Sequence, residues 1–369
     1  MHVPSLSAAL TALSLLVPVH GQTLDLPCDD KKDQALQTAS EEEVARITSF
    51  TPAEAVDREN PRYPRQAAQH GQEGWVQMSY VIDEEGNVLD AVVEDYVGNT
   101  LFKRSALRAL KQWKFTPAMQ DGKPTQQCHQ KVQFDFYIDG ARGASRQFVA
   151  AYKDIEALIR TDNLAEAEKG LQTLHERTDS NRYENAWLYS LDAMLAKKLN
   201  DGRRELKSLR RAVASARSHD EKHATFDSNY TAFMYQRQFV LHTRFLQLAD
   251  ALAAAEKLAA MEGQADHLAA IQPAIDKIHA YIASADNIFV PLALDESGVE
   301  FHALSRNQFA FADILGQLDT VEVRCETQRE IFTVAEAHIW TIPESWGACR
   351  VLVAGQAGAA FNLVEVAGS

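Results

Sequence analysis

The chain is short of almost everything that announces chemistry. Its 369 residues hold no HExxH, no GxSxG and no P-loop, which removes the usual signatures of zinc proteases, serine hydrolases and P-loop nucleotide enzymes. The four cysteines form no CxxC and no Cys/His group at zinc-ligand spacing, so no metal is expected. Positive charge is scarce, with 37 Lys and Arg against 51 Asp and Glu and a formal net charge of −14. That excludes nucleic acid as a partner, because phosphate binding needs a dense cationic surface. No basic run is present that could hold to anionic lipid. After the N-terminal segment, no apolar run reaches the roughly 20 residues that span a bilayer. The longest, Leu246 to Met261, is interrupted by Gln247, Asp250, Glu256 and Lys257.

Features that imitate sites read better as structure. Gly355-Gln356-Ala357-Gly358 lies between two strand-like runs, which makes it a hairpin turn and not a phosphate loop. Asp83-Glu84-Glu85-Gly86-Asn87 lacks the ligand spacing of a calcium loop, and a hairpin explains it. His242 and His279 fall on helical stretches, as packed or solvated residues. Neither a catalytic residue nor a cofactor is expected.

From Leu6 to Val19 the chain is apolar, then His20-Gly21 gives way to polar sequence. This is short for a bilayer and fits a secretory signal over residues 1–21, cut near Gln22. The expected location is the periplasm; an uncleaved segment would instead anchor the protein in the inner membrane, the one route to membrane contact. Pro27 before Cys28 argues against a lipoprotein. In an oxidising compartment an even cysteine count suggests disulfides. Three connectivities are open, and pairing within regions favours Cys28–Cys128 and Cys325–Cys349.

Residues 22–58 are polar and acidic and read as a lead-in, with a short helix over 41–47. Residues 59–140 change character. Gly74 to Asp83 alternates as a strand, with Trp75, Gln77, Ser79 and Val81 on one side, and Val88 to Glu94 resumes after the Gly86 turn. Leu101, Phe102, Ala106, Leu107, Leu110 and Trp113 recur at helical spacing, with Pro117 as the stop. Val132, Phe134, Phe136 and Ile138 alternate as a last strand. The order ββαβ predicts a small α+β domain with its helix on one face of the sheet.

Here the sequence resembles the TonB C-terminal family. Pro61-Arg62-Tyr63-Pro64, Glu73-Gly74-Trp75-Val76, Ile82-Asp83 with Gly86-Asn87-Val88, Ala106-Leu107 with Ala109-Leu110, and Trp113 to Ala118 followed by Gly122-Lys123-Pro124 occur in the family's order and spacing. The resemblance covers about a fifth of the chain. It implies a domain that takes up a short extended segment of an outer-membrane receptor as an added strand, a mode that relies on backbone hydrogen bonds. Carried onto this chain, the receiving edge is Lys131 to Ile138 beside Asn60–Arg65. Asn60, Tyr63, Arg65, Lys131, Gln133 and Asp135 are the candidate contacts, with Gln133 and Asp135 facing outward. One departure matters: with 11 prolines and no proline-rich tract, the chain lacks the spacer of an energy transducer.

Residues 147–285 read as helices, with stripes such as Phe148, Tyr152, Ile155 and Ile159. Similar segments starting at Asn163, Asp201 and Leu248 suggest degenerate tetratricopeptide-type pairs. Residues 286–369 return to short strands and predict a small β-sandwich or barrel-like domain stapled by Cys325–Cys349. The expected function is a non-enzymatic protein-interaction module of the cell envelope, binding envelope or outer-membrane protein partners and linked to transmembrane transport. The alternative is an anchored TonB-type transducer.

Overall fold

The computed structural model describes residues 49–138, 143–217, 224–336 and 338–367. The signal segment, the helix expected over 41–47 and Cys28 lie outside the described residues.

Two long strands, β3 (Gly74–Ile82) and β4 (Val88–Val97), form the expected hairpin. Asp83 shapes its turn, its Oδ1 accepting the N–H groups of Glu85 at 3.0 Å and Asn87 at 2.7 Å. Gly86 adopts φ 81°, and a Cβ there would lie 1.9 Å from the Phe115 carbonyl oxygen, so only glycine fits. The acidic loop is therefore a backbone device.

Helix α1 (Arg65–Gln69) precedes the hairpin and α2 (Leu101–Leu110) follows it. Strand β8 (Gln127–Phe136) then pairs antiparallel with β3, giving the sheet order β4-β3-β8. One face of β3, carrying Val76, Met78, Tyr80 and Ile82, packs with Phe102, Ala106 and Leu110 of α2.

Helix α2 ends earlier than the spacing predicts. Gln112 and Trp113 donate their N–H groups to Ala109 and Leu110, closing a turn, and Phe115 N–H bonds to Gly86 O. That draws the chain back to the sheet before Pro117. Trp113 is still a core anchor, 5% exposed, with its Nε1–H on the Glu59 carbonyl at 2.8 Å.

The lead-in also contains structure that its polarity conceals. Strand β1 (Phe50–Thr51) pairs with β6 (Ala118–Gln120), β2 (Glu54–Asp57) pairs with β5 (Lys114–Thr116), and β7 (Lys123–Thr125) completes the first of these small sheets. Backbone pairing with few buried side chains leaves no hydrophobic alternation to read.

The helical middle consists of α3 (Arg146–Arg160), α4 (Leu164–His175), α5 (Arg182–Lys198), α6 (Gly202–Ala216), α7 (Ser228–Arg244), α8 (Leu248–Ala259) and α9 (Ala265–Ile282). Three of its turns are alike. Asp162, Asn200 and Leu246 each adopt positive φ. The following residue then donates its N–H five residues back, as Asn163 to Leu158, Asp201 to Ala196 and Gln247 to His242. These are Schellman closures that end one helix and start the next. The repeated segments in the sequence mark the starts of α4, α6 and α8.

The last region is β-rich. One sheet has the order β10 (Val299–Ala303), β15 (Cys349–Gly355), β12 (Leu318–Cys325), β13 (Arg329–Thr333). The other has the order β14 (Trp340–Thr341), β11 (Gln308–Leu315), β16 (Ala360–Glu365), β9 (Ile288–Ala293). Their apolar faces share a core with α7, α8 and α9.

Cys325 and Cys349 are directly opposed on β12 and β15 and form a disulfide, at a sequence separation of 24. Cys128 is buried and is bonded to no described cysteine; its expected partner, Cys28, is not among the described residues. Replacing Cys325 and Cys349 together with alanine should lower stability by about 3 kcal/mol on a chain-entropy estimate. A denaturant titration checks this, and an unchanged midpoint would contradict it.

Candidate partner-binding edge of the N-terminal sheet

Strand β8 is the end strand of its sheet, paired with β3 on one side only. From Gln130 to Phe136 it runs in unbroken register against Tyr80 to Gly74. The opposite end strand, β4, meets β3 with two register shifts, and such irregularities blunt an edge. Beyond the sheet, the described backbone bonds give β8 one other contact, Cys128 N–H to Glu326 O at 3.2 Å.

Asn60 and Arg65 are exposed, Arg65 as the first residue of α1. Tyr63 instead serves the core. Its ring meets Phe102 and Phe136 edge-on, with centroids 5.7 and 5.8 Å away, and its hydroxyl donates to the Gln72 carbonyl. Burial, with Glu73 nearby, pushes that hydroxyl up to about 12, so it remains a proton donor. Tyr63 thus ties the entry segment to the last strand.

Gln133 and Asp135 do not face solvent as their polarity suggests. Gln133 donates to the Ala214 carbonyl at 3.1 Å and to Asp135 at 2.7 Å, and accepts from Gln77 at 3.0 Å. Asp135 lies 3.6 Å from Arg182 and its side chain is 7% exposed. Both point away from the α2 core, as alternation requires, but into a second packed layer. Lys131 reaches across Ser79 to Glu94 on β4, 3.3 Å away.

That second layer is extensive. Trp75, 1% exposed, packs with Val97 and Ala214 and donates its Nε1–H to Ser215 at 2.8 Å. Arg211 forks onto Asp95, with Nη2–Oδ1 at 2.6 Å and Nε–Oδ2 at 3.0 Å. Glu73 accepts the N–H of Arg182 at the start of α5 and that of Ile138 just after β8. From the β-rich region, Arg350 binds Glu94 at 2.6 Å and Arg329 binds Asp90 at 2.9 Å. These groups cover the face of the sheet and leave the outer side of β8 without a strand partner among the described residues. Sequence reading missed this layer, because each bond joins residues that are far apart in the chain.

Two polar clusters among the described residues are each organised around a carboxylate. Ser208 donates to Asp192, but that carboxylate also takes Arg204 at 2.6 Å. His302 and Ser305 both bond to Glu365, on different oxygens, and not to each other. Among the described residues no helix is long and apolar enough to cross a membrane, and no group of three or more His, Cys, Asp or Glu could hold a metal ion.

An antiparallel β4-β3-β8 sheet with a helix on one face and β8 at its end makes a small α+β domain. Residues 59–138 match the family described as the Gram-negative bacterial TonB protein C-terminal, and this stretch is a TonB C-terminal domain. The Vibrio cholerae protein TonB is 39% identical over 75 residues, which are 20% of this chain and 31% of that protein. Yersinia enterocolitica protein TonB is 26% identical over 91 residues, 25% of this chain and 36% of that one. The match therefore spans about a third of these relatives. Among solved structures, the Pseudomonas aeruginosa TonB C-terminal domain shows 25% identity, covering 25% of this chain and 92% of that one, with a TM-score of 0.22. The Vibrio anguillarum TonB2 structure shows 39% identity over 24% of this chain and 82% of that one, with a TM-score of 0.20.

Proposed function

We propose that the protein is a non-enzymatic interaction protein of the cell envelope whose TonB C-terminal domain captures an extended partner segment along β8. The observation that carries this reading is the regular, one-sided pairing of β8 from Gln130 to Phe136. An extended peptide can complete such an edge with backbone hydrogen bonds and few particular side chains. An outer-membrane receptor segment is the partner class that the family resemblance implies. We read the three helix hairpins as degenerate tetratricopeptide-type pairs that hold the domain with its edge presented.

Successive residues of an antiparallel strand direct their N–H groups to opposite sides. Of Val132→Pro and Gln133→Pro, one therefore removes a donor to β3 and the other a donor facing outward. The outward variant should fold, because proline is tolerated on an edge, yet lose capture of the envelope partner. Gln133→Ala should cost about 1 kcal/mol of stability through its lost hydrogen bonds and still capture it. Circular dichroism establishes folding, and cross-linking from Tyr137, 51% exposed just past β8, reports capture. Equal capture by a folded proline variant would mean that strand addition is the wrong mode.

A further inference from the structure

The sequence holds no basic run, yet the fold assembles one from two segments. Helix α2 carries Arg104 and Arg108, with Lys111 at its C-cap, and steps of four and three residues place all three on one face. No acidic residue occurs from Leu101 to Lys111. The chain entering the domain runs alongside this helix in the opposite direction and is fixed there at two points. Ser105 donates its hydroxyl to the Arg62 carbonyl, and Trp113 donates its Nε1–H to the Glu59 carbonyl at 2.8 Å. Arg62 therefore stands beside the middle of α2. Arg58 stands at its end, with its guanidinium 5.1 Å from the centre of the Trp113 ring and 5.2 Å from that of Phe115. All five cations are exposed.

Among the described residues, none of the five pairs with a carboxylate. Asp57 and Glu59 are exposed on the same entering segment, so five cations against two carboxylates leave a local excess of positive charge. Glu84 and Glu85 belong to the β3–β4 turn, where Lys114 bonds Asn87 at 2.5 Å. The overall charge of −14 does not cancel this excess at contact. Helix α2 covers one face of the sheet, while α6 and the β-rich region pack on the other. A packed layer is about 10 Å deep, more than the Debye length of about 8 Å at physiological salt. A charged surface that meets α2 is therefore attracted by the cations, with the acidic remainder screened.

The character of the face narrows the occupant. No large apolar side chain is exposed on α2, whereas protein interfaces draw most of their energy from anchors seated in desolvated pockets. Four of the five cations are guanidinium groups, whose forks suit phosphate oxygens. We propose that the outer face of α2 docks the protein on an anionic phospholipid surface, with Arg58, Arg62, Arg104, Arg108 and Lys111 against the lipid phosphates. The contact is electrostatic and superficial, because α2 has nothing apolar to insert. Each cation near such a surface strengthens partitioning about fivefold.

The test is sedimentation of the full protein with vesicles of equal phosphatidylglycerol and phosphatidylcholine and, separately, of phosphatidylcholine alone. Binding to the mixed vesicles only, released by added sodium chloride, is expected. The triple variant Arg104→Gln, Arg108→Gln, Lys111→Gln alters exposed side chains, so it should keep the melting temperature and partition about 100-fold more weakly. A second triple variant, Lys153→Gln, Lys169→Gln, Lys197→Gln, removes the same charge from exposed positions on α3, α4 and α5 and should bind as the wild type does. Equal losses in the two variants, or no loss in the first, would overturn the proposal. So would equal binding to both kinds of vesicle that salt does not release. Absence of binding to the mixed vesicles would overturn it as well, and retention of the protein on polyglutamate in that case would mark an acidic protein segment as the occupant.

Discussion

Replacing Trp113 with alanine should cost about 3–5 kcal/mol of folding stability, the range for emptying a buried aromatic site. The indole is 5% exposed and meets Phe134 edge-on at 5.2 Å and Tyr80 at 6.1 Å. It also holds Glu59 through its Nε1–H, and the Arg58 guanidinium lies 5.1 Å from its ring. Truncation therefore leaves a cavity between the sheet and the segment that enters the domain, and removes a donor from the Glu59 carbonyl. Denaturant titration gives the value. A loss below about 1 kcal/mol would mean that the site collapses freely and that Trp113 is not the anchor described.

The second large effect is expected at Glu94. Replacing it with glutamine removes the one carboxylate that bonds both Arg350 and Lys131. Breaking a buried pair by removing one partner typically costs about 3–5 kcal/mol, because the remaining charge is left buried and unpaired. The sign of the pH dependence follows from the direction of the shift. Glu94 is lowered from 4.5 to about 2 in the folded state, so its contribution is fully present above about pH 4.5 and disappears as pH falls through about 2. The stability gap between the wild type and Glu94→Gln should therefore narrow across that window. A gap that is small at pH 7, or constant with pH, would contradict the ion pair between the sheet and the β-rich region.

How legible the fold was depended on how locally each element is determined. The β3–β4 hairpin is visible because Gly86 is required by its turn and because apolar residues alternate on both sides of it. Helix α2 is visible from the spacing of Phe102, Ala106 and Leu110. Its end is not, since it is decided by Phe115 bonding to Gly86, a contact set by the tertiary fold. Strands β1 and β2 hide because they pair through the backbone while their side chains stay exposed, and β5 to β7 because each is only three residues long. In the β-rich region, the spacing of Cys325 and Cys349 foretells the staple, while β11 is obscured by alanines at Ala310 and Ala312, which weaken its alternation.

The candidate site shows the same division. That β8 is a strand can be read from Val132, Phe134 and Phe136, while its place as the receiving edge was implied by the family resemblance. The surroundings of Gln133 and Asp135 cannot, because their partners, Ala214 and Arg182, lie 81 and 47 residues away. Polar residues alternating with apolar ones look solvent-facing until a second polar layer arrives from elsewhere in the chain. Here that layer uses ion pairs such as Arg211–Asp95, which carry no local signature in the sequence.

The central claim, that β8 receives an added strand, is tested most directly by amide hydrogen exchange of the full protein with and without its captured envelope partner. Partner binding should slow exchange at alternate amides between Lys131 and Phe136, those whose N–H groups face away from β3. The helices from Arg146 to Ile282 should exchange as before. Protection that appears on those helices and leaves the β8 amides unchanged would contradict the account.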